Sequence, residues 1–275
     1  MKPYWSSPEH KLSIFHGDCL EVMPALEQEF DLCLTDPPYN VGYEYATHDD
    51  RMPVDEYRAW QLAVAEALAE VCAPVSDFWY LQYPEFAAYM FSAVPEVTAW
   101  TAREWVTWIY HTHTGGVPLR KASRAWCWFA LGGGREAVFT QEYRNPTDRR
   151  VALLLEANRQ PSAYDWWECE QVKNVSDEKT AHPCQVPVAM VERIVGGMDA
   201  TAVIDPFLGS GTTLVACYRL GRHGVGIEIS EEYCELAAKR LEVELTQLRL
   251  PETVETAKPA QPQMDTWPEE NADVD

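Results

Sequence analysis

The sequence predicts a doubly wound α/β fold around a mostly parallel sheet, and three observations carry that expectation. From Gln185 onward, short apolar runs alternate with amphipathic stretches of about 10 to 15 residues, the rhythm of parallel strands covered by helices. Two strand-like runs, DLCL and TAVID, each end on residues that cannot extend them, at the carboxyl end where open α/β sheets bind ligands. The chain has 275 residues, 47% of them hydrophobic, enough to bury a substantial core.

Taken in order, KLSIF reads as the first strand, His16-Gly17-Asp18 as the turn after it, and CLEVMPALEQ as a helix. DLCL is the next strand and is stopped by Asp36-Pro37-Pro38-Tyr39. A polar loop, VGYEYATHDDRMP, precedes a helix from about Val54 to Cys72 with apolar residues at helical spacing. DFWYLQY, EWVTWIY and AWCWFAL are aromatic-rich strand candidates separated by turn signals at Thr114-Gly115-Gly116 and Gly132-Gly133-Gly134. Trp100, Trp105, Trp108, Trp126 and Trp128 recur there at strand-like spacing, which places them mostly in the core. The C-terminal rhythm is helix (QVPVAMVERIVGGM), strand (TAVID), Gly-rich turn (PFLGSG), helix (TTLVACYRLG), strand (HGVGIEI) and helix (SEEYCELAAKRLEVEL).

Composition narrows the function classes. No run approaches the roughly 18 to 20 apolar residues of a membrane span, and MKPYWSSPEHK has no apolar signal core, so a cytoplasmic protein is expected. Eight cysteines lie singly with no C-x-x-C pair, which points to reduced thiols and to neither zinc nor disulfide. His111 and His113 alternate as on one strand face, but no third ligand accompanies them. A net charge of -21 argues against a polyanionic partner until its distribution is considered. Between His111 and Gln160, eight basic residues stand against four acidic ones, a window of +4 in an acidic chain. From Pro251, seven acids face one lysine in a Pro-rich stretch, which predicts a disordered acidic tail over 251–275.

The turn in VIDPFLGSGTT places Gly209 and Gly211 between a strand ending at Asp205 and a helix starting near Thr212. Glycine lets backbone turn tightly and approach a ligand. Glu228, seventeen residues after Gly211, ends the next strand, where a carboxylate takes both hydroxyls of a ribose. No lysine follows Gly211, so a triphosphate loop is excluded, and Leu214 stands where the dinucleotide fingerprint needs its third glycine. Acid at this position suits S-adenosylmethionine, whose ammonium and sulfonium are cationic. In DPPY the prolines hold an extended backbone rich in acceptors. If the Asp36 carboxylate and the Pro37 carbonyl accept both N–H bonds of an exocyclic amine, its nitrogen pyramidalises and its lone pair localises for attack. Tyr39 offers a face on which a flat base stacks. Either motif alone is also compatible with an ordinary turn.

Together, TDPPYN, DPFLGSGTT and HPCQVP resemble the catalytic, cofactor and helix motifs of the S-adenosylmethionine-dependent amino-methyltransferases of DNA. The catalytic motif precedes the cofactor motif by about 170 residues, the order of that family's permuted β group. The resemblance covers roughly Lys11 to Leu245. It implies a Rossmann-like methyltransferase fold with a mixed, mostly parallel seven-stranded sheet and helices on both faces. It implies one permuted domain over 1–250, with a catalytic half at about 11–140, a target-recognition insertion at about 140–180 and a cofactor half at about 181–245.

The resemblance also implies a site. Asp36, Pro37, Pro38 and Tyr39 are its catalytic residues, and Asp205, Phe207, Gly209, Gly211, Thr212 and Glu228 hold the cofactor. Asp18 would accept from the cofactor adenine, although it serves equally as a helix N-cap. His182 and Gln185 belong to the helix motif, where Cys184 and Val186 replace the family's usual Thr and Lys. The basic window is read as DNA-facing, with Arg120, Lys121, Arg124, Arg144, Arg149 and Arg150 as the contacting cations. The implied activity is methylation of the N6 amine of adenine in a specific DNA sequence, because the first motif residue is aspartate rather than the serine commoner in N4-cytosine enzymes. N4-cytosine, an RNA or protein amide, and a catalytically silent DNA- or cofactor-binding module are the alternatives. The partners implied are DNA and a cognate restriction endonuclease, with monomer or homodimer left open.

Overall fold

The structure is a computed structural model that describes residues 1–42, 50–111, 119, 121–140, 148–157, 159, 161–172, 178–182 and 184–247. Arg120, Arg144, His113 and the expected tail lie outside the described residues. In chain order the elements are β1 (Trp5–Ser7), β2 (Leu12–His16), α1 (Cys19–Val22), β3 (Phe30–Thr35), α2 (Val54–Val71), β4 (Cys72–Gln82), α3 (Pro84–Val97), β5 (Thr101–Ile109) and β6 (Ser123–Leu131). They continue with α4 (Arg149–Glu156), β7 (Trp166–Glu168), α5 (Val188–Gly197), β8 (Ala202–Asp205), α6 (Thr212–Arg219), β9 (His223–Glu228) and α7 (Glu231–Gln247).

The nine strands among the described residues join one sheet in the order β1-β2-β9-β8-β3-β4-β6-β5-β7. The run from β2 through β4 is parallel, and β6 runs antiparallel between β4 and β5. Nine replaces the expected seven because β1 and β7 extend the two edges, and at three residues each they are too short to display a period.

Period-2 alternation explains why both sheet faces are apolar. Leu12, Ile14, Leu32, Leu34, Trp79, Leu81, Trp126 and Trp128 point to one face, where they meet Val191 of α5, Val215 of α6 and Leu241 of α7. Phe15, Cys33, Phe78, Tyr80, Cys127 and Phe129 point to the other, against Val64 and Leu68 of α2 and Met90 and Val94 of α3. Trp100, Trp108, Trp126 and Trp128 are buried, as their spacing predicts, while Trp105 is half-buried. No helix among the described residues is long and apolar enough to cross a membrane.

Three elements differ from the expectation. The helix expected over CLEVMPALEQ is a single turn, capped by Asp18, that tightens into a 3-10 turn at Met23–Ala25. Pro24 has no N–H to donate to the Leu20 carbonyl, which accounts for the break. Helix α3 occupies a stretch that carries no strand or helix assignment in the sequence reading; it starts at Pro84 and buries Ala87, Met90 and Val94 along one face. Helix α4 sits inside the basic window.

Candidate active site

Strand register decides which distant residues meet. His16 pairs with Glu228 across β2 and β9, Asp205 with Gly226 across β8 and β9, and Cys33 with Ile204 across β3 and β8. The turns following β2, β9, β8 and β3 therefore emerge side by side at one sheet edge. A cavity of about 380 Å³ opens there. Asp36, Pro37, Pro38 and Tyr39 line it, together with Asp18, Asp205, Phe207, Gly209, Thr212, Glu228 and His182. Segments almost 170 residues apart in the chain share one wall.

Gly211 and Gln185, both expected to bind the cofactor, are not among the residues that line the cavity. Gly211 caps α6 at φ 83°, and a Cβ on it would lie 3.0 Å from the Ala237 Cβ, so it serves the turn and its packing. Gln185 is buried, donates from Nε2 to the Glu178 carbonyl at 2.7 Å and accepts from Thr180 N at 3.0 Å. Its amide clamps the preceding loop, and α5 begins three residues later, after Pro187. His182 does reach the cavity. Its ring lies 4.7 Å from that of Tyr233, and burial followed by the Lys179 charge lowers its pKa to about 4.

The cavity is short of positive charge. Burial pushes the Asp205 carboxyl up to about 7, against the opposing hydrogen bonds from Thr213 Oγ1 at 2.5 Å and Phe207 N at 3.0 Å. Burial likewise raises Glu228, although its two oxygens accept from Gly209 N and Ser230 N, each at 2.8 Å. Asp18 gives one oxygen to Leu20 N at 2.8 Å as the cap of α1. With Asp36, four carboxyls line one pocket and burial raises three of them, which makes a site that favours a cationic ligand. The Phe207 ring and the edge-on Trp60 ring, 5.5 Å apart, add an apolar wall.

The loop from Asp36 to Asn40 is held from three sides. Tyr39 donates its hydroxyl to Asp36 Oδ1, and the Tyr57 hydroxyl of α2 donates to the Pro38 carbonyl. Gln82 Nε2 at the end of β4 donates to that same tyrosine oxygen at 3.0 Å. Asn40 adopts φ 56°, a conformation asparagine tolerates, and its amide both donates to Met52 O at 2.8 Å and accepts from Met52 N at 2.7 Å. Asp50 accepts from Asn40 N at 2.6 Å and Val41 N at 3.0 Å. Burial pushes the Asp36 carboxyl up to about 6, against the pull of the Arg124 charge and the Tyr39 hydroxyl.

The basic window divides. Lys121 is exposed, pairs with Glu85 at 3.0 Å and sits 5.0 Å over the Tyr83 ring. Arg149 and Arg150 are exposed on α4, with Arg150 paired to Asp148 at 3.0 Å. Arg124 is the correction: it is 5% exposed and lies against the Tyr39 ring rather than on the surface. Its place on β6, flanked by β4 and β5, turns the side chain into a nest of rings. Sequence reasoning also missed Trp60, Tyr57, Tyr233 and Arg240. Arg240 of α7 donates to Ser210 O at 3.1 Å and Thr212 Oγ1 at 2.9 Å, which ties the Gly-rich turn from behind. None of these carries a local motif, because each acts through the tertiary approach of a helix or a strand.

Comparison with known proteins bears on the family and the fold. A family model described as DNA methylase, N6/N4 type, matches residues 30–239. The type II methyltransferase M.ScaI of Streptomyces caespitosus is 29% identical over 273 residues, covering 90% of this chain and 86% of that protein. The DNA adenine methyltransferase YhdJ of Escherichia coli K12 is 26% identical over 255 residues, covering 84% and 83%. The solved structure of the M1.HpyAVI–SAM complex superposes with a TM-score of 0.62 at 22% identity, covering 84% of this chain and 98% of that one. The fold is the one shared with these DNA methyltransferase structures, and the chain belongs to the N6/N4 DNA methylase family.

Proposed function

We propose that the chain transfers a methyl group from S-adenosylmethionine to the N6 amine of adenine within a specific DNA sequence. The observation that carries this reading is the meeting of Asp36-Pro37-Pro38-Tyr39 with Asp205, Glu228 and Asp18 in a single cavity. Buried carboxyls without a compensating cation fit the sulfonium and ammonium of S-adenosylmethionine, and Phe207 and Trp60 offer flat apolar surface for its adenine. Bound there, S-adenosylmethionine supplies a methyl carbon made electrophilic by its sulfonium.

The chain's own residues act on the amine. Asp36 and the Pro37 carbonyl accept its two N–H bonds, which draws the nitrogen out of conjugation and directs its lone pair into the cavity. The base reaches this loop by leaving the duplex, at a cost of a few kcal/mol, and stacks on Tyr39. Aspartate at the first motif position and the likeness to an adenine methyltransferase favour adenine. N4-cytosine is the closest alternative, since the family spans both amines. Lys121, Arg149 and Arg150 are the described exposed cations suited to phosphate contact, and the stretch at about 140–180 is assigned to target recognition. Likeness to a type II methyltransferase supports a cognate restriction endonuclease as companion.

The test is expression in a methylation-deficient host, followed by digestion of its DNA to nucleosides. N6-methyladenine is expected. N4-methylcytosine moves the target base, and neither modified nucleoside, with cofactor binding intact, overturns the DNA assignment.

A further inference from the structure

Arg124 is an odd residue to find inside a protein. It lies second in β6, between Ser123 and Ala125, and is 5% exposed. Its guanidinium carbon sits 4.9 Å from the Tyr39 ring centroid, 5.4 Å from Trp108 and 5.5 Å from Tyr83. Its Nε has no hydrogen-bond partner among the described residues. A buried cation with an unmade hydrogen bond is destabilising relative to a well-packed apolar side chain, so fold stability does not account for it. Its charge must be worth something elsewhere.

What it faces is the underside of the catalytic loop. Tyr39 stands between the guanidinium and the cavity, is itself 6% exposed, and donates its hydroxyl to Asp36. We propose, building on the amine-transfer reading, that Arg124 is a positioning residue that stacks against Tyr39 to fix its ring and keeps the Asp36 carboxyl anionic so that it can accept from the amine. A planar guanidinium fits the face of an aromatic ring, and its constant charge acts through the dry loop at a distance where an exposed cation is screened.

The neighbours set the direction of the effect. Asp36 is faced by Tyr39 on its own loop, by Tyr57 of α2, by Arg124 of β6 and by Asp205 at the end of β8. Among these Arg124 is the only cation, and Asp205 opposes the charge of Asp36. Tyr83, after β4, and Tyr110, after β5, flank the guanidinium, and Cys184 adjoins Tyr39. Without Arg124, Asp36 is left with the Asp205 carboxyl and the phenols of Tyr39 and Tyr57, and among these only the Tyr39 hydrogen bond favours its ionised form.

The experiment compares wild type, Arg124→Gln and Arg124→Lys by two readouts. The first is a carboxyl ¹³C NMR titration of Asp36 in the protein without DNA, assigned by difference from Asp36→Asn. The second is the pH profile of methyl transfer. Arg124→Gln is expected to move the Asp36 titration and the acid limb of the profile upward together by about one to three pH units. Arg124→Lys, which retains charge but not the planar stack, is expected to leave both within about half a unit of wild type while raising KM for DNA. Equal titrations in wild type and Arg124→Gln overturn the proposal, as does an acid limb shifted as far by lysine as by glutamine. The NMR titration needs no substrate, so a wild type that methylates no DNA overturns the functional reading and leaves Arg124 to be judged by the titration.

Discussion

Asp36 was legible because its chemistry is local: a carboxylate, two prolines and a ring in four consecutive positions after an apolar strand. Asn40 had no physical explanation at that level, and the structure supplies one in its positive φ and its paired hydrogen bonds to Met52. Arg124 was misassigned for the opposite reason. Counting charge along a window treats every cation as solvated, whereas β6 is covered on both faces and buries this one. At this scale Asp36→Ala is expected to lower methyl transfer at least about 10²-fold, with cofactor affinity changed only a few fold. Single-turnover transfer alongside equilibrium cofactor binding checks it, and retained turnover refutes the role given to Asp36.

Among the elements, those from α5 to α7 were readable because strands and amphipathic helices alternate there with glycine at the turns. Helix α3 was hidden by its own composition: EFAAYMFSAV is apolar on several sides and lies among aromatic strands, so neither period stands out. The Gly-rich turn was found correctly, yet its two glycines do different things. Gly209 borders the cavity against His182, whereas Gly211 fits α6 to α7. Gly221 has φ 64° with nothing within 4 Å of a built Cβ, so it isolates the backbone term. Gly221→Ala is expected to lose about 1 kcal/mol from left-handed strain alone. Gly211→Ala should lose about 1 to 3 kcal/mol more from overpacking on Ala237. Urea midpoints measure both, and equal midpoints would refute the packing role of Gly211.

For the whole molecule, an overall charge of -21 concealed the gathering of four carboxyls around one cavity. Asp36 and Asp205 start from an ordinary value of 3.8 and stand at about 6 and about 7 in the folded chain. Between those values the folded state binds more protons than the unfolded one, so their contribution to stability falls as pH rises from about 4 to about 7. A cationic cofactor favours the ionised forms, so its binding releases protons and tightens over the same range. Thermal melts from pH 5 to pH 8 should show a cofactor-induced upshift that grows with pH, and Asp205→Asn should flatten that growth. An upshift larger at pH 5 than at pH 8 is incompatible with this account.

The strand order has a consequence for how the chain comes together during synthesis. The last two strands, β8 and β9, lie between β2 and β3, the first two of the parallel run. Until residues past 228 have left the ribosome, the N-terminal half has a gap two strands wide in the middle of its sheet, with β2 and β3 unpaired along the edges that face it. Closing that gap requires contacts spanning about 170 to 210 residues, which makes folding slow and leaves bare strand edges in the interim. The last closure that completes the sheet is also the one that brings Asp205 and Glu228 to Asp36. On the proposed reading of this site, a nascent chain gains its cofactor pocket only when the sheet is whole.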